Sequence, residues 1–330
     1  MSFKTVSSLG ILLLLGNLVL ADESPIDKRV KPQRILSNDA GEGPAWYPTR
    51  GLYFSGPRGI TRISPTGAMQ PFRYPSGGSN GLLFDHEGRL IICEAGRRRV
   101  TRTEPNGRTT VLADGWEGKR FNTPNDLAID SKGRIYFSDP RYGNREDMEI
   151  VDEDGKRIEG VYRIDGPRQV TRIITHEVDR PNGLLITPDD KYLFVADNNN
   201  NSVGGARSLY RFDLTPEGEI VADSRKLIFD WETGRGPDGM AMDQQGRLFV
   251  AGGLNRANPP YETADRRKGG IYVLTQDGDL LDFVPILNDE VTNCIFGDRD
   301  MKTLYVTAGG QLWKVRVNVP GWSPGRSPNN

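Results

Sequence analysis

A chain of 330 residues can bury a sizeable core as one large domain, and its Gly and Pro are spread along the whole length, as many short strands and tight turns require. A formal charge of -1 provides no field that would recruit nucleic acid. Two cysteines, Cys93 and Cys294, and two histidines, His86 and His176, make no disulfide framework and no zinc-type ligand spacing. Both cysteines sit in apolar runs, which predicts reduced thiols in a core.

Residues 1–21 carry Lys4, an apolar run from Ile11 to Leu20 and a small residue, Ala21, before Asp22. The run is short for a membrane span and fits a cleaved signal peptide, so an exported protein, periplasmic or secreted and free of the membrane after cleavage, is expected. Residues 22–32 are charged and Pro-bearing and read as a flexible arm. Residues 33–319 read as one folded domain, and 320–330, rich in Pro, Gly, Ser and Asn, as a disordered tail.

Within the domain one pattern recurs: an oxygen-bearing residue, an apolar run, a turn and a second apolar run. It begins at Glu42, Asn80, Asn125, Asn182, Asp238 and Asn293, roughly 40 to 57 residues apart. Such a period, with several strand-like runs in each unit, predicts an all-β, six-bladed β-propeller. Each later motif is preceded by an outermost strand, such as Thr109-Thr-Val-Leu-Ala. The last unit ends at Leu312-Trp-Lys-Val-Arg-Val without a fourth strand, so Arg34-Ile-Leu-Ser is expected to complete it and close the ring. The second strand of each unit leads into a loop on the channel-mouth face. Three of these are long and polar, Ser138 to Gly160, Asn198 to Ser208 and Gly252 to Gly270, as expected of a rim over the mouth.

The innermost strand of a blade runs along the central channel, so the six leading residues should face its mouth. Glu42 and Asp238, with amides from Asn182 and Asn125, form an oxygen-only donor set suited to Ca²⁺, Mg²⁺ or Mn²⁺ and unsuited to zinc or copper. Asn-Gly and Asp-Gly are also ordinary turn dipeptides, and any single leader is explained that way. Six polar leaders in register are not. Asn80 and Asn293 are left outside the metal shell. Tyr142, on a rim loop, and Arg120, ahead of the Asn125 motif, are candidate substrate contacts.

Glu42-Gly-Pro-Ala-Trp, Arg120-Phe-Asn-Thr-Pro-Asn-Asp-Leu, Ser138-Asp-Pro-Arg-Tyr-Gly, Pro181-Asn-Gly-Leu and Pro237-Asp-Gly-Met together resemble the gluconolactonase and senescence-marker-protein (regucalcin-like, LRE) hydrolases over about residues 34 to 318. The resemblance implies one divalent cation in the channel, Ca²⁺ ahead of Mg²⁺ or Mn²⁺, and opening of lactone rings, sugar lactones foremost. It implies Glu42, Asn182 and Asp238 as metal ligands, Asn125 beside the ion in contact with substrate, and Asp238 as general base. An organophosphate or aryl-ester hydrolase of the same fold, or a non-catalytic calcium- or ligand-binding propeller, is the alternative.

Overall fold

The computed structural model describes residues 24–323. The expected signal peptide and residues 324–330 lie outside them. Six sheets of four antiparallel strands form a β-propeller. The first blade runs outward from Glu42–Tyr47 through Gly51–Gly56 and Gly59–Ile63 to Met69–Arg73. The other inner strands are Ser79–Phe84, Leu127–Ile129, Pro181–Ile186, Pro237–Met242 and Val291–Gly297. Burial grades from the channel outward, since a strand covered on both faces must be apolar throughout. Pro181–Ile186 is buried at every residue, whereas Met69–Arg73 is exposed at four of five.

The turns between first and second strands explain the repeated Asp-x-x-Gly-Arg. In three blades the Gly N–H returns to the Asp carbonyl, Gly88 to Asp85 at 2.8 Å, Gly133 to Asp130 and Gly246 to Asp243 at 3.0 Å. The glycine is left-handed each time, with φ of +72°, +81° and +79°, a conformation that costs a residue with a Cβ.

The apolar core is divided among the six contacts between neighbouring blades. The contact that joins the last blade to the first buries only Ala40, Leu52, Phe54 and Leu312 in full. Ring closure therefore leans on backbone pairing: Gln33–Leu36 lies antiparallel to Gln311–Arg316, with Gln33 opposite Lys314 and Leu36 opposite Leu312. This is the expected N-terminal closure.

Both cysteines are buried and free. The described parts of the arm and the tail, by contrast, are docked on the ring. Ile26 is buried and bridges Val317, and Ser24 Oγ donates to Asp282 at 2.7 Å. Gly321 packs against Phe296, and the Trp322 N–H reaches the Met242 carbonyl at 2.8 Å. One isoleucine among charges and prolines, and one tryptophan in a polar tail, supply anchors that average composition hides.

Candidate active and metal site

The leaders are set apart from the sheets by the backbone itself. In five inner strands the ladder register slips at the leader: between Glu42 and Ala45, Ser79 and Leu82, Pro181 and Leu184, Pro237 and Met240, and Val291 and Asn293. Such a bulge re-aims a side chain away from the pleat. The glycine after the leader has a second role. A Cβ on Gly183 would lie 2.1 Å from the Asp238 carbonyl oxygen, and one on Gly239 would lie 2.0 Å from the Asn293 side chain. These glycines let one blade's mouth end abut the next.

The third blade departs from the pattern, having Asp126 where four of the others have glycine and the sixth has Cys294. Asp126 is buried, its Oδ2 accepts the Leu184 N–H of the fourth blade at 3.2 Å, and the Asn293 side chain bonds it. Burial pushes its pKa up to about 6 against those hydrogen bonds. Sequence reasoning passed over this residue, although its break of the X-Gly pattern was visible.

Glu42 and Asp238 sit in the same electrostatic setting. Burial holds the Glu42 carboxyl well above the ordinary carboxylate range, and the charges of Asp238 and Asp126 add to it. Burial does the same to Asp238, with Glu290 adding and Arg235 opposing. Neither carboxylate makes an ion pair among the described residues, and like charges crowded out of water resist ionising together.

Asn182 is 4 % exposed. Its Nδ2 donates to the Tyr142 Oη at 3.0 Å, and that hydroxyl donates to the Asn198 carbonyl at 3.1 Å. With its nitrogen fixed, Asn182 presents a buried Oδ1 that has no partner. An orphaned acceptor of this kind calls for a ligand. Tyr142, expected as a pocket-lining residue, is thus bonded directly to a candidate metal ligand, with the Arg180 guanidinium 5.2 Å over its ring. Asn125 is buried, its N–H donating to Ser138 O at 2.9 Å. Asn122, in the same motif, has its Nδ2 engaged by the carbonyls of Asp139 and Ile158, both at 2.9 Å. Arg120 is not gathered in: its side chain is 62 % exposed and pairs with Glu149.

Among the described residues no group of three or more His, Cys, Asp or Glu is placed to hold an ion. The mouth instead joins two carboxylates to an unpartnered amide oxygen, a donor set that suits a hard divalent cation. Beyond the leaders a cavity of about 70 Å³ runs between the inner strands, lined by Leu82, Leu184, Met240 and Ile295, with Trp322 also on its wall. Sites that enclose a ligand of drug size measure about 300–1,000 Å³. A substrate of that class belongs above the leaders, not behind them.

Residues 40–310 match the model of the SMP-30/Gluconolactonase/LRE-like region. The chain belongs to this family. It is 30% identical over 319 residues to the gluconolactonase of Zymomonas mobilis, covering 88% of this chain and 82% of that one. It is 26% identical over 276 residues to a pentonolactonase of Haloferax volcanii, covering 82% and 81%. Among solved structures, a gluconolactonase from Xanthomonas campestris superposes with a TM-score of 0.68 at 26% identity, over 89% of this chain and 97% of that one.

Proposed function

We propose that the protein is a divalent-cation-dependent hydrolase that opens lactone rings, sugar lactones foremost. One observation carries the reading: two buried, unneutralised carboxylates, Glu42 and Asp238, share the channel mouth with the partnerless Oδ1 of Asn182. Glu42, Asn182 and Asp238 would hold the ion, Ca²⁺ ahead of Mg²⁺ or Mn²⁺, since every donor is oxygen. When bound, a divalent cation offsets negative charge developing on a carbonyl oxygen. Tyr142 fixes the rotamer of Asn182, and Asn125 contacts the substrate. Asp238 would take the proton from the attacking water. The apolar lining behind the leaders favours entry of substrate and water from the mouth alone. The relatives from Zymomonas and Haloferax, whose names specify lactones, support this substrate class. Export is proposed from the N-terminal apolar segment, and a mature mass beginning at Asp22 checks it.

The test is proton release from glucono-δ-lactone before and after chelation. Loss of the rate on chelation and its return with Ca²⁺ are expected. A rate indifferent to the chelator contradicts the metal, and turnover of an organophosphate without any lactone hydrolysis contradicts the substrate.

A further inference from the structure

Besides Asp126, a further carboxylate at the mouth lies outside the ring of leaders. Glu290 follows the outermost strand of the fifth blade, Leu280–Pro285, and directly precedes the inner strand of the sixth, Val291–Gly297. Its side chain is 53 % exposed, yet its Oε1 is held by Arg235 Nη1 at 2.7 Å. Arg235 is itself buried and fixed by Glu262, through Nε at 2.5 Å and Nη2 at 2.8 Å. The Glu290 carbonyl accepts the Gly309 N–H at 2.7 Å, and the neighbouring Asp289 carboxylate takes the backbone N–H groups of Asn255 and Arg256 at 2.7 and 2.9 Å. The carboxylate is therefore both open to the mouth and rigidly presented, the combination a recognition group needs.

Its position relative to the site follows from the strands it touches: Glu290 directly precedes the inner strand that carries Asn293, and Arg235, which holds it, lies two residues ahead of the inner strand Pro237–Met242 that carries Asp238. The arginines around Tyr142 face carboxylates of their own: Arg141 faces Asp147, and Arg145 and Arg180 face Glu159. They are committed to those partners, whereas Glu290 leaves half its surface to solvent. The narrow apolar cavity behind the leaders confines a polyhydroxylated substrate to this outer level.

We infer that Glu290 selects neutral, polyhydroxylated lactones, its carboxylate accepting substrate hydroxyls and repelling a lactone that carries its own carboxylate or sulfonate. The inference rests on the lactonase reading above. Charge-assisted hydrogen bonds to hydroxyls are strong enough to orient a ring, and like-charge juxtaposition is an effective means of rejection.

The experiment compares kcat/KM for glucono-δ-lactone and for the same lactone bearing a 6-sulfonate, in the wild type and in Glu290→Gln, with cation saturating. The anionic-to-neutral ratio should rise about tenfold in the variant, as removal of one charge across a partly wetted gap implies. In the wild type the same ratio should rise with ionic strength while the neutral rate stays flat. This salt series decides the matter without a variant should Glu290→Gln fold poorly. A ratio unchanged by the substitution, or by salt where the variant does not fold, overturns the selection while leaving the lactonase reading intact. A wild type inert toward both lactones overturns that reading and this inference with it.

Discussion

The two ends of the inner strands use the same residue type to opposite effect. At the far end, Asp85, Asp130 and Asp243 each accept two backbone N–H groups from the following turn and a guanidinium four residues on. At the mouth end, Glu42, Asp126 and Asp238 make no ion pair among the described residues, and all three are held toward the protonated form by burial, with neighbouring carboxylates adding to it for Glu42 and Asp238. A carboxylate compensated by its own turn serves the fold. A group of carboxylates buried without an ion pair works against folding, as a set kept for a ligand would.

The contrast should separate cleanly under mutation. The largest effect is expected at Asp238→Asn, which keeps shape and removes both charge and base. Activity should fall about 10³-fold and stay low at saturating cation, while thermal stability of the metal-free protein should rise. Glu42→Gln should weaken cation binding by about tenfold or more and recover part of its rate when Ca²⁺ is added. Equal and full rescue of both variants in steady-state assays would show Asp238 to be a ligand only. At the far end, Asp243→Asn strands Arg247, which is 6 % exposed, and should cost about 3 kcal/mol of stability by denaturant unfolding while kcat is retained.

A smaller effect sharpens the same comparison at the end of the third blade's second strand, Ile135–Asp139. Burial pushes the Asp139 pKa up to about 8, despite the Asn122 N–H at 2.7 Å. The folded state therefore binds the proton more tightly than the unfolded chain, so the contribution of Asp139 is full below pH 3.8 and is lost as pH rises through about 8. Asp139→Asn removes that slope. Its melting temperature relative to wild type should climb between pH 5 and 9, and a constant difference would show that Asp139 is ionised in the fold.

The ring was legible because each blade repeats the same signals. Polar leader, apolar run and turn recur at fixed order, the turn reading Asp-x-x-Gly-Arg in three blades, and the unpaired last blade pointed to Arg34-Ile-Leu-Ser as its closing strand. The leaders followed from the same register. The residues around them did not, because their role is set by neighbours distant in sequence. Asp126 acts through Leu184 and Asn293, Tyr142 through Asn182, and Glu290 through Arg235 and Glu262. Arg120 shows the converse: it adjoins a site motif, yet Glu149, 29 residues away in sequence, holds it on the surface. Gly183 and Gly239 read as turn glycines in the sequence, whereas neither has the positive φ of a turn and both are close-approach positions between blades.

The central claim, that the mouth carboxylates are kept for a divalent cation, is tested most directly by titrating chelated protein with Ca²⁺ in a calorimeter. One site per chain is predicted in the wild type, with protons released on binding because burial and mutual repulsion hold Glu42 and Asp238 toward the protonated form. Asp238→Asn should lose most of that binding. Absence of binding by Ca²⁺, Mg²⁺ and Mn²⁺, or a site that survives loss of both carboxylates, would contradict the account.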